Sequence, residues 1–399
     1  MPSDAELLEK AKRYLYPNYR QPDLVMSHGK GAQLWDQSGK RYLDLYAGIA
    51  VSTLGHAHPA LVQALTDQAG RVIHLSNYYY NAPNILLAEK LCTLSGMSRA
   101  FFCNSGTEAM EAMLKMCRRH FFAAGQTERY RMIAFDSSFH GRSLGALSLT
   151  GQKKYRDGFG PLPGVTHVPY GDLNAVEREM GPDVAGVVVE PVQGEGGVVP
   201  APSGFLRGLR TLTKQHGALL LADEIQTGIG RTGRFLACQH DDVVPDAVSL
   251  AKGLAGGVPI GAMLCGEHLK DALPPGSHGT TFGGNPLASH AALCVLSLIE
   301  SENLMLRARE LGEFLKQQLG KLADKHAKHV ELARGSGLLW AILLRAEVDA
   351  RAFVGAMRDA GVLVTLAGGQ GVRLSPALTI TQDELAEGIA VLDQVLGAL

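Results

Sequence analysis

Net charge is nearly absent from this 399-residue sequence: 38 Lys and Arg residues balance 39 Asp and Glu residues, and no block of like charges stands out. A protein whose main partner is nucleic acid or an anionic membrane normally carries a basic surface, so neither partner is expected. No apolar run approaches the roughly 18 residues that a membrane span needs. The first residues, MPSDAELLEKAKRYLYP, lack the apolar core of a signal peptide and predict a short helix. We therefore predict a cytoplasmic protein with no membrane partner.

Paired cysteines are lacking as well. The six cysteines form no C-x-x-C pair, and most lie in apolar stretches such as AFFCNS (100–105), so we interpret them as buried reduced thiols. His56 and His58 lie two apart in GHAHP, and His140 lies near Arg142. No cysteine or acidic cluster joins these histidines at metal-ligand spacing, which favours a turn or core role and predicts no metal site.

Short apolar runs alternate with helical patterns between about residues 98 and 266. The runs are AFFCNS, RMIAFDSS, AGVVVEP, ALLLADE, DAVSLAK and GAMLCG. Strands that are apolar on both faces and alternate with helices predict a mostly parallel sheet covered on both sides. Ligands in such sheets gather at the carboxyl ends of strands. Four polar residues end the predicted strands there: Ser105, Glu190, Asp223 and Lys252.

The pattern changes after about residue 285. A long helical stretch (285–328) precedes apolar runs at LLWAILL, GVLVTL and GVRLSP, which predict a small α+β domain. Near the N-terminus, AQLWDQSGKRYLDLYAG predicts a strand hairpin around Ser38 and Gly39, which we assign to the small domain. The predicted division is an N-terminal segment packing with the small domain (1–55), a large domain (56–284) and a C-terminal small domain (285–399).

Lys252 directly follows an apolar strand in SLAKGLAGGVPIG, where a solvated surface lysine is not expected. A buried amine has a lowered pKa and, once deprotonated, can form an imine. A lysine that snorkels from a strand end is the plain alternative. Asp223 ends the strand in ALLLADEIQTG, and a buried acid needs a strong partner. A helix N-cap or a core salt bridge would also account for an acid there, and Glu224 could supply it.

The segment NSGTEAMEAM places Ser105, Gly106 and Thr107 at the predicted start of a helix. Free backbone N–H groups and the helix dipole make such a start an anion-binding site. Plain capping by Ser or Thr explains the same residues and does not exclude anion binding. The glycine-containing turns FHGRS (139–143) and GEGG (194–197) would let a ligand approach the backbone closely.

Two further features have less specific readings. GIGRTG (228–233) satisfies G-x-G-x-x-G, but no long helical pattern follows it, so a dinucleotide site is not expected. Tyr78, Tyr79 and Tyr80 form an aromatic run that could line a pocket or a dimer interface.

The motifs NSGTEA, FHGR, VVVEPVQGEGGV, LLLADEIQTGIGRTG, LAKGLAGGVPIGA, HGTTFGGNP and VRLSPAL occur in this order along essentially the whole chain. Together they resemble the class III (omega-amino-acid) aminotransferases, which depend on pyridoxal phosphate. The resemblance implies an α/β fold, that of the pyridoxal-phosphate-dependent transferases of fold type I. In that fold a large domain with a mostly parallel seven-stranded sheet joins a small α+β domain.

The resemblance also implies roles around the cofactor. Lys252 matches the lysine that binds the cofactor covalently and moves the proton between substrate and cofactor. Asp223 matches the acid that partners the pyridine nitrogen. Gln226 matches the residue near the phenolic oxygen, and Phe139 matches the aromatic residue that stacks on the ring.

Ser105, Gly106 and Thr107 match the phosphate site of the family. Thr281 matches a threonine that reaches the phosphate from the other subunit, which implies a homodimer with shared active sites. Arg142 matches an arginine for a substrate carboxylate, a role that suits the guanidinium fork.

Glu195 and Arg373 match a glutamate–arginine pair. One substrate gives up a terminal amine and carries its α-carboxylate far from the reacting carbon. The other substrate, glutamate, reacts at the carbon beside its α-carboxylate. We hypothesise that Glu195 neutralises Arg373 for the first substrate and releases it for the second.

The implied reaction moves the terminal amine of N2-acetylornithine to 2-oxoglutarate. Ornithine and succinylornithine are alternative donors. Ile49 stands in AGIAV, where the ornithine enzymes tend to place a tyrosine, and the lost hydroxyl suits an acylated donor. An aminomutase of the same fold is an alternative from another class, although it needs no second carboxylate site.

Overall fold

The structure is a computed structural model that describes residues 2–160, 162 and 164–399. Its N-terminal segment contains α1 (Asp4–Tyr14), β1 (Met26–Lys30), β2 (Gln33–Asp36), β3 (Arg41–Asp44) and the short turn α2 (Ala47–Ala50). Helix α1 begins at a capping box, because Ser3 Oγ accepts from the amide of Glu6 and the Glu6 carboxylate accepts from the amide of Ser3 at 2.8 Å. Strands β2 and β3 pair antiparallel, which confirms the predicted hairpin.

The central part of the chain alternates strands and helices as predicted. Its elements are α3 (Pro59–Ala69), α4 (Ala82–Ser95), β4 (Arg99–Cys103), α5 (Gly106–Ala123), β5 (Arg131–Phe135), α6 (Leu144–Leu149), α7 (Lys153–Arg156), β6 (Val165–Val168), α8 (Leu173–Glu179), β7 (Val184–Val189), β8 (Val192–Gln193), β9 (Val199–Pro200), α9 (Phe205–Gln215), β10 (Leu219–Asp223), β11 (Ala247–Leu250) and β12 (Gly261–Cys265). Short 3₁₀ helices occur at Ala237–His240, Lys252–Ala255 and Glu267–Leu269.

One seven-stranded sheet has the order β4-β12-β11-β10-β7-β5-β6. Strand β12 runs antiparallel to both neighbours, and the pairs from β11 to β6 are parallel. The mostly parallel seven-stranded sheet is thereby confirmed. Because β12 is antiparallel to both β11 and β4, these two strands run in the same direction. The carboxyl ends of all strands of this sheet except β12 therefore meet at one edge.

Apolar cores lie on both faces of this sheet. Along β10, Leu219 and Leu221 join the core beside α5, while Leu220 and Ala222 join the core beside α9. Successive strand side chains point to opposite faces, so a strand covered on both sides must be apolar throughout. The continuous apolar runs of the sequence follow from this double coverage.

The C-terminal part contains α10 (Pro286–Ser301), α11 (Leu304–Lys325), β13 (Val330–Ser336), β14 (Leu339–Leu344), α12 (Ala350–Asp359), β15 (Val362–Leu363), β16 (Thr365–Ala367), β17 (Gly371–Leu374) and α13 (Gln382–Gly397). The long helical stretch predicted at 285–328 consists of two helices, because the chain breaks at Asn303. Asn303 adopts φ +50 and the left-handed conformation, which ends one helix and starts the next. None of the described helices is both long and apolar enough to span a membrane.

The run GVLVTL contributes to two sheets rather than to one strand. Strand β15 pairs parallel with β3, in the sheet β1-β2-β3-β15, whereas β16 pairs with β17, in the sheet β13-β14-β17-β16. The first pairing supports the proposed assignment of residues 1–55 to the small domain. Helix α10 packs against α3 and α4, which favours a boundary near Asn303 over one at residue 284.

Candidate active site

A cavity of about 440 Å³ opens where the strands end. The predicted site residues that line it are Ser105, Gly106, Thr107, Phe139, Arg142, Glu195, Asp223, Gln226 and Lys252. Arg373 lies behind this lining and bonds to two of its members, and Thr281 lies outside on the surface. Residues from distant parts of the chain thus meet at the edge that the parallel sheet predicts.

Lys252 begins a 3₁₀ helix two residues after β11, with φ +42. This left-handed conformation costs a non-glycine residue about 1–3 kcal/mol. Burial lowers the pKa of the Lys252 amine, and the nearby Glu195 carboxylate opposes that effect only in part. The side chain remains partly accessible from the cavity. A lysine of this kind can act as a nucleophile and accept a proton.

Glycine is required immediately after the lysine. A Cβ at Gly253 would lie 2.5 Å from Thr53 Oγ1, whose hydroxyl donates to the Gly253 carbonyl at 2.9 Å. Thr53 belongs to the N-terminal segment, so this bond ties the lysine loop to a distant part of the chain.

Asp223 is the last residue of β10 and is buried. Its Oδ2 lies 2.7 Å from His140 Nδ1, and its Oδ1 accepts from the amide of Ile225 at 3.0 Å. Burial alone would lower the pKa of His140, but the hydrogen bond and the charge of Asp223 raise it. The pair therefore favours an imidazolium beside a carboxylate. His140 Nε2 is buried without a hydrogen-bond partner in the described part of the chain.

Glu190 directly follows β7 and is also buried. Its two carboxylate oxygens accept from the amides of Phe139 at 2.9 Å and Gly194 at 3.2 Å. Burial raises the pKa of Glu190 to about 7, although the nearby His140 lowers it. Glu190 thus fixes the backbone of the aromatic residue on one side and of the GEGG turn on the other.

Sequence reasoning missed the place of His140 and Glu190 in the site, where both line the cavity. His140 was interpreted as a turn or core residue, yet it bonds to Asp223, which lies 83 positions away in sequence. Glu190 was noted only as the end of a strand. The available signal was the same for Glu190 as for Asp223, an acid directly after a run of apolar residues.

The start of α5 offers an anion site. Ser105 is the N-cap, and a Cβ at Gly106 would lie 2.9 Å from the Ile225 side chain, so glycine permits this close approach. The first N–H groups of a helix have no partner within the helix. The hydroxyl of Thr107 is already engaged, since it bonds to Ser143 Oγ at 2.7 Å and accepts from the amide of Arg142 at 3.2 Å.

Glu195 and Arg373 form a buried ion pair of 2.5 Å beside Lys252. Arg373 is 1% exposed and also donates to Gln226 Oε1 at 3.2 Å. Burial raises the pKa of Glu195, but Arg373 and Lys252 outweigh it and hold the pKa low. A Cβ at Gly194 would lie 2.0 Å from Gln226 Oε1, so this glycine makes room for the network.

Arg142 also lines the cavity, and its side chain is exposed. Its guanidinium carbon is 3.9 Å from the ring centroid of Tyr155 and 5.6 Å from that of Phe139. The rings of Phe139 and Tyr155 meet edge-on at 5.7 Å. Within the described part of the chain, the Arg142 guanidinium contacts aromatic rings and pairs with no acid.

The remaining sequence features lie away from the cavity. Thr281 is exposed, and its neighbour Thr280 accepts from Asn104 Nδ2 at 3.3 Å. Tyr78, Tyr79 and Tyr80 are 91%, 75% and 93% exposed, and the cavity lining includes none of them.

GIGRTG does not open a helix, as expected for a loop without a dinucleotide site. Its Arg231 is buried and donates to the carbonyl of Leu338 at 3.1 Å, a structural contact. No group of metal-ligating side chains occurs within residues 2–160, 162 and 164–399.

The segment AGIAV takes an unusual path. Residues 47–50 have φ values between +47 and +67, a left-handed turn that begins where Asp44 Oδ1 accepts the amides of Tyr46 and Ala47. This path leaves Ile49 exposed and places Val51 in the cavity lining. The apolar side chain that the segment brings to the cavity is therefore Val51.

These groups fit pyridoxal phosphate by their chemistry. Lys252 offers an amine for the aldehyde, and the N-terminus of α5 offers N–H groups for the phosphate. The Asp223 carboxylate, supported by His140, suits a protonated pyridine nitrogen. Phe139 supplies an aromatic surface, and the donor set needs no metal.

Comparison with known proteins agrees with this chemistry. Residues 14–396 match the family model for class-III aminotransferases. The chain is 48% identical to an acetylornithine aminotransferase from Myxococcus xanthus, over 95% of this chain and 94% of the relative. It is 43% identical to a succinylornithine transaminase from Salmonella paratyphi A, over 96% and 94%. The solved ornithine aminotransferase from Toxoplasma gondii ME49 superposes with a TM-score of 0.96 at 33% identity, over 100% of this chain and 96% of that one.

Proposed function

The chain belongs to the class-III aminotransferases, enzymes that use pyridoxal phosphate, and we propose that it transfers the terminal amine of N2-acetylornithine to 2-oxoglutarate. The products are N-acetylglutamate 5-semialdehyde and glutamate, which assigns the enzyme to arginine biosynthesis. The observation that carries this proposal is the closed Glu195–Arg373 ion pair beside Lys252, together with Arg142 in the same cavity lining, whose guanidinium pairs with no acid among the described residues.

On the cofactor side, the bound cofactor supplies an electron sink for the carbon–hydrogen bond that breaks in the substrate. Lys252 holds the cofactor and carries the proton at the reacting carbon, for which its lowered pKa suits it. Asp223 keeps a negative charge beside the pyridine nitrogen, and His140 orients that carboxylate. The N-terminus of α5, with Ser105, Gly106 and Thr107, binds the phosphate.

Two positions at the cavity wall complete this side. Phe139 would supply the aromatic surface for the cofactor ring, and Glu190 holds the backbone of Phe139 in place. Gln226 lies at the junction with the substrate side, because its side chain already accepts from Arg373.

On the substrate side, one cavity must accept two different substrates. N2-acetylornithine reacts at a carbon far from its carboxylate, so this substrate offers no carboxylate to the guanidinium of Arg373 near Lys252. The ion pair with Glu195 satisfies Arg373 in that half-reaction, while Arg142 binds the distant carboxylate. Glutamate carries a carboxylate beside its reacting carbon, and Arg373 binds it when Glu195 releases the guanidinium.

We further propose a homodimer with shared active sites, in which Thr281 reaches the cofactor phosphate of the other subunit. Exposed apolar groups between residues 73 and 86 and at Phe282, the residue after Thr281, support this proposal, because monomers rarely expose large contiguous apolar patches. They are Ile73, Tyr78, Tyr79, Tyr80, Ile85, Leu86 and Phe282. Sedimentation analysis tests the dimer directly. The cytoplasmic location also stays a proposal, supported by six free cysteine thiols.

Half-reaction spectroscopy tests the substrate assignment. The purified yellow protein is mixed separately with glutamate, N2-acetylornithine, N2-succinylornithine and ornithine, and the loss of its visible absorption band is followed. Fast bleaching by glutamate and N2-acetylornithine with slow bleaching by ornithine is the expected result. A protein without bound pyridoxal phosphate would overturn the assignment of Lys252.

Other outcomes identify the alternatives. Ornithine is disfavoured because the residue that AGIAV brings to the cavity is Val51, whose apolar side chain has no hydroxyl to bind a free α-amine. Fast bleaching by ornithine would therefore move the assignment to that donor, and preference for N2-succinylornithine would identify the larger acyl group. An aminomutase would interconvert a single substrate without needing 2-oxoglutarate.

A further inference from the structure

The guanidinium of Arg142 has an unusual environment for a charged group beside a cavity. Its carbon lies 3.9 Å from the ring centroid of Tyr155. The backbone amide of Arg142 donates to Thr107 Oγ1 at 3.2 Å. The guanidinium itself forms no hydrogen bond with the described residues. The direction of the side chain therefore depends on the aromatic contact.

Arg131 and Arg373 differ from Arg142 because each of them pairs with a carboxylate. Arg131 donates to both carboxylate oxygens of Asp183, at 2.7 and 3.1 Å, and Arg373 donates to Glu195. An arginine paired in this way has little donor capacity left for a ligand. Stacking uses the face of the guanidinium and leaves the N–H groups at its edge free for a bidentate carboxylate.

Tyr155 is itself fixed by its neighbours. It lies in α7, its amide donates to the carbonyl of Gln152 at 3.0 Å, and its ring meets Phe139 edge-on. Lys154 also places its ammonium 4.9 Å from the Tyr155 ring, farther than the Arg142 guanidinium carbon. The Tyr155 hydroxyl forms no hydrogen bond with the described residues, so the ring is the part that contacts Arg142.

We propose that Tyr155 is a positioning residue for the donor substrate: its ring holds the Arg142 guanidinium so that the free edge binds the substrate carboxylate. The inference rests on the proposed function, which assigns the donor carboxylate to Arg142. Tyr155 touches neither substrate nor cofactor in this scheme and acts through Arg142 alone.

A matched pair of unreactive ligands isolates the carboxylate. N2-acetylnorvaline has the carbon chain, acetamide and carboxylate of the proposed donor but lacks its terminal amine. N-butylacetamide is the same molecule without the carboxylate. Dissociation constants of both are measured by calorimetry on the holoenzyme and on its Tyr155→Leu, Tyr155→Phe and Arg142→Gln variants.

Of the two tyrosine variants, only Tyr155→Leu should lose selectivity for the ligand that carries the carboxylate. Tyr155→Leu should reduce the preference for the carboxylate ligand by about two- to fivefold, the size of an exposed cation–π contact. Tyr155→Phe keeps the ring and should retain the preference of the natural protein. Affinity for N-butylacetamide should be the same in all proteins.

Failure of the inference and failure of the proposed function give different results. If Arg142→Gln leaves the preference unchanged, the carboxylate role of Arg142 is wrong. If Arg142→Gln removes the preference and Tyr155→Leu keeps it, only the role of Tyr155 is overturned. Equal weakening of both ligands in Tyr155→Leu, or a loss in Tyr155→Phe as large as that in Tyr155→Leu, also overturns it.

Discussion

The cofactor side of the cavity comes from the ends of β10 and β11 and the start of α5, all within one sheet and its covering helix. The substrate side joins Glu195, in the turn between β8 and β9, to Arg373 on β17 of a different sheet, and adds Arg142 from the loop before α6. The strand ends are fixed by continuous pairing, whereas the substrate side is joined by side-chain contacts: Arg373 bonds to Glu195 and Gln226, and Arg142 stacks on aromatic rings. Rigid support suits a group that stays bound, and separable contacts suit two substrates that alternate.

The largest expected effect lies on the cofactor side. Lys252→Ala removes the amine that we propose to bind the cofactor and carry the proton, and transamination should fall by up to about 10⁴-fold. Borohydride reduction followed by mass spectrometry should show the cofactor attached to the natural protein but not to Lys252→Ala. Lys270→Ala, at an exposed lysine, is the control and should retain activity and attachment. Attachment of the cofactor in Lys252→Ala would show that another lysine performs this function.

Asp223→Asn tests the importance of the negative charge at the end of β10. The variant keeps the shape of the side chain but removes the charge that faces the cofactor and His140. Loss of a fixed electrostatic partner of this kind typically costs about 10²–10³-fold in kcat. Single-turnover kinetics with glutamate measure the effect, and circular dichroism checks the fold. A loss below about tenfold would contradict the role assigned to Asp223.

His140→Gln tests whether the imidazolium is favoured by the fold. The folded pKa of His140 is raised, so its stabilisation is complete below the ordinary pKa of 6.5 and is lost as the pH rises through the folded value. The variant should lose about 1.5–3 kcal/mol more unfolding free energy at pH 6 than at pH 9, as for a hydrogen bond to a charged group.

Denaturant unfolding at the two pH values measures this difference. Glu190 and Asp223 are the acids that face His140, and Glu190 titrates near pH 7 in the same window. His216→Gln, at an exposed histidine, controls for general effects of histidine loss. The same stability loss at both pH values would mean that His140 is neutral in the folded protein.

On the substrate side, the expected effect is a change in selectivity rather than a loss of activity. Glu195→Gln leaves the charge of Arg373 unmatched, which favours glutamate and disfavours the terminal amine of the acylated donor. The ratio of the two half-reaction rates should shift by about tenfold, as expected for one charged hydrogen bond. Unchanged relative rates would contradict the switching role of this ion pair.

Local sequence pattern predicted the sheet and the edge at which Asp223, Lys252 and the start of α5 meet. Apolar runs alternating with helical patterns determine a doubly covered sheet, because a strand buried on both faces has no place for polar side chains. Asp223 and Lys252 stood out because each follows such a run, and the carboxyl ends of parallel strands necessarily meet at one edge. The start of α5 was equally visible, because capping and anion binding use adjacent residues.

Tertiary structure alone decided which of these groups touch. His140 meets Asp223 across 83 positions and Arg373 meets Glu195 across 178, and no local pattern encodes such distances. The family resemblance supplied the Glu195–Arg373 pair, but not the bond of His140 to Asp223 or the aromatic support of Arg142. Chain topology brings these residues together, so propensity and periodicity, which report only on near neighbours in sequence, determine the elements and leave their long-range contacts to the fold.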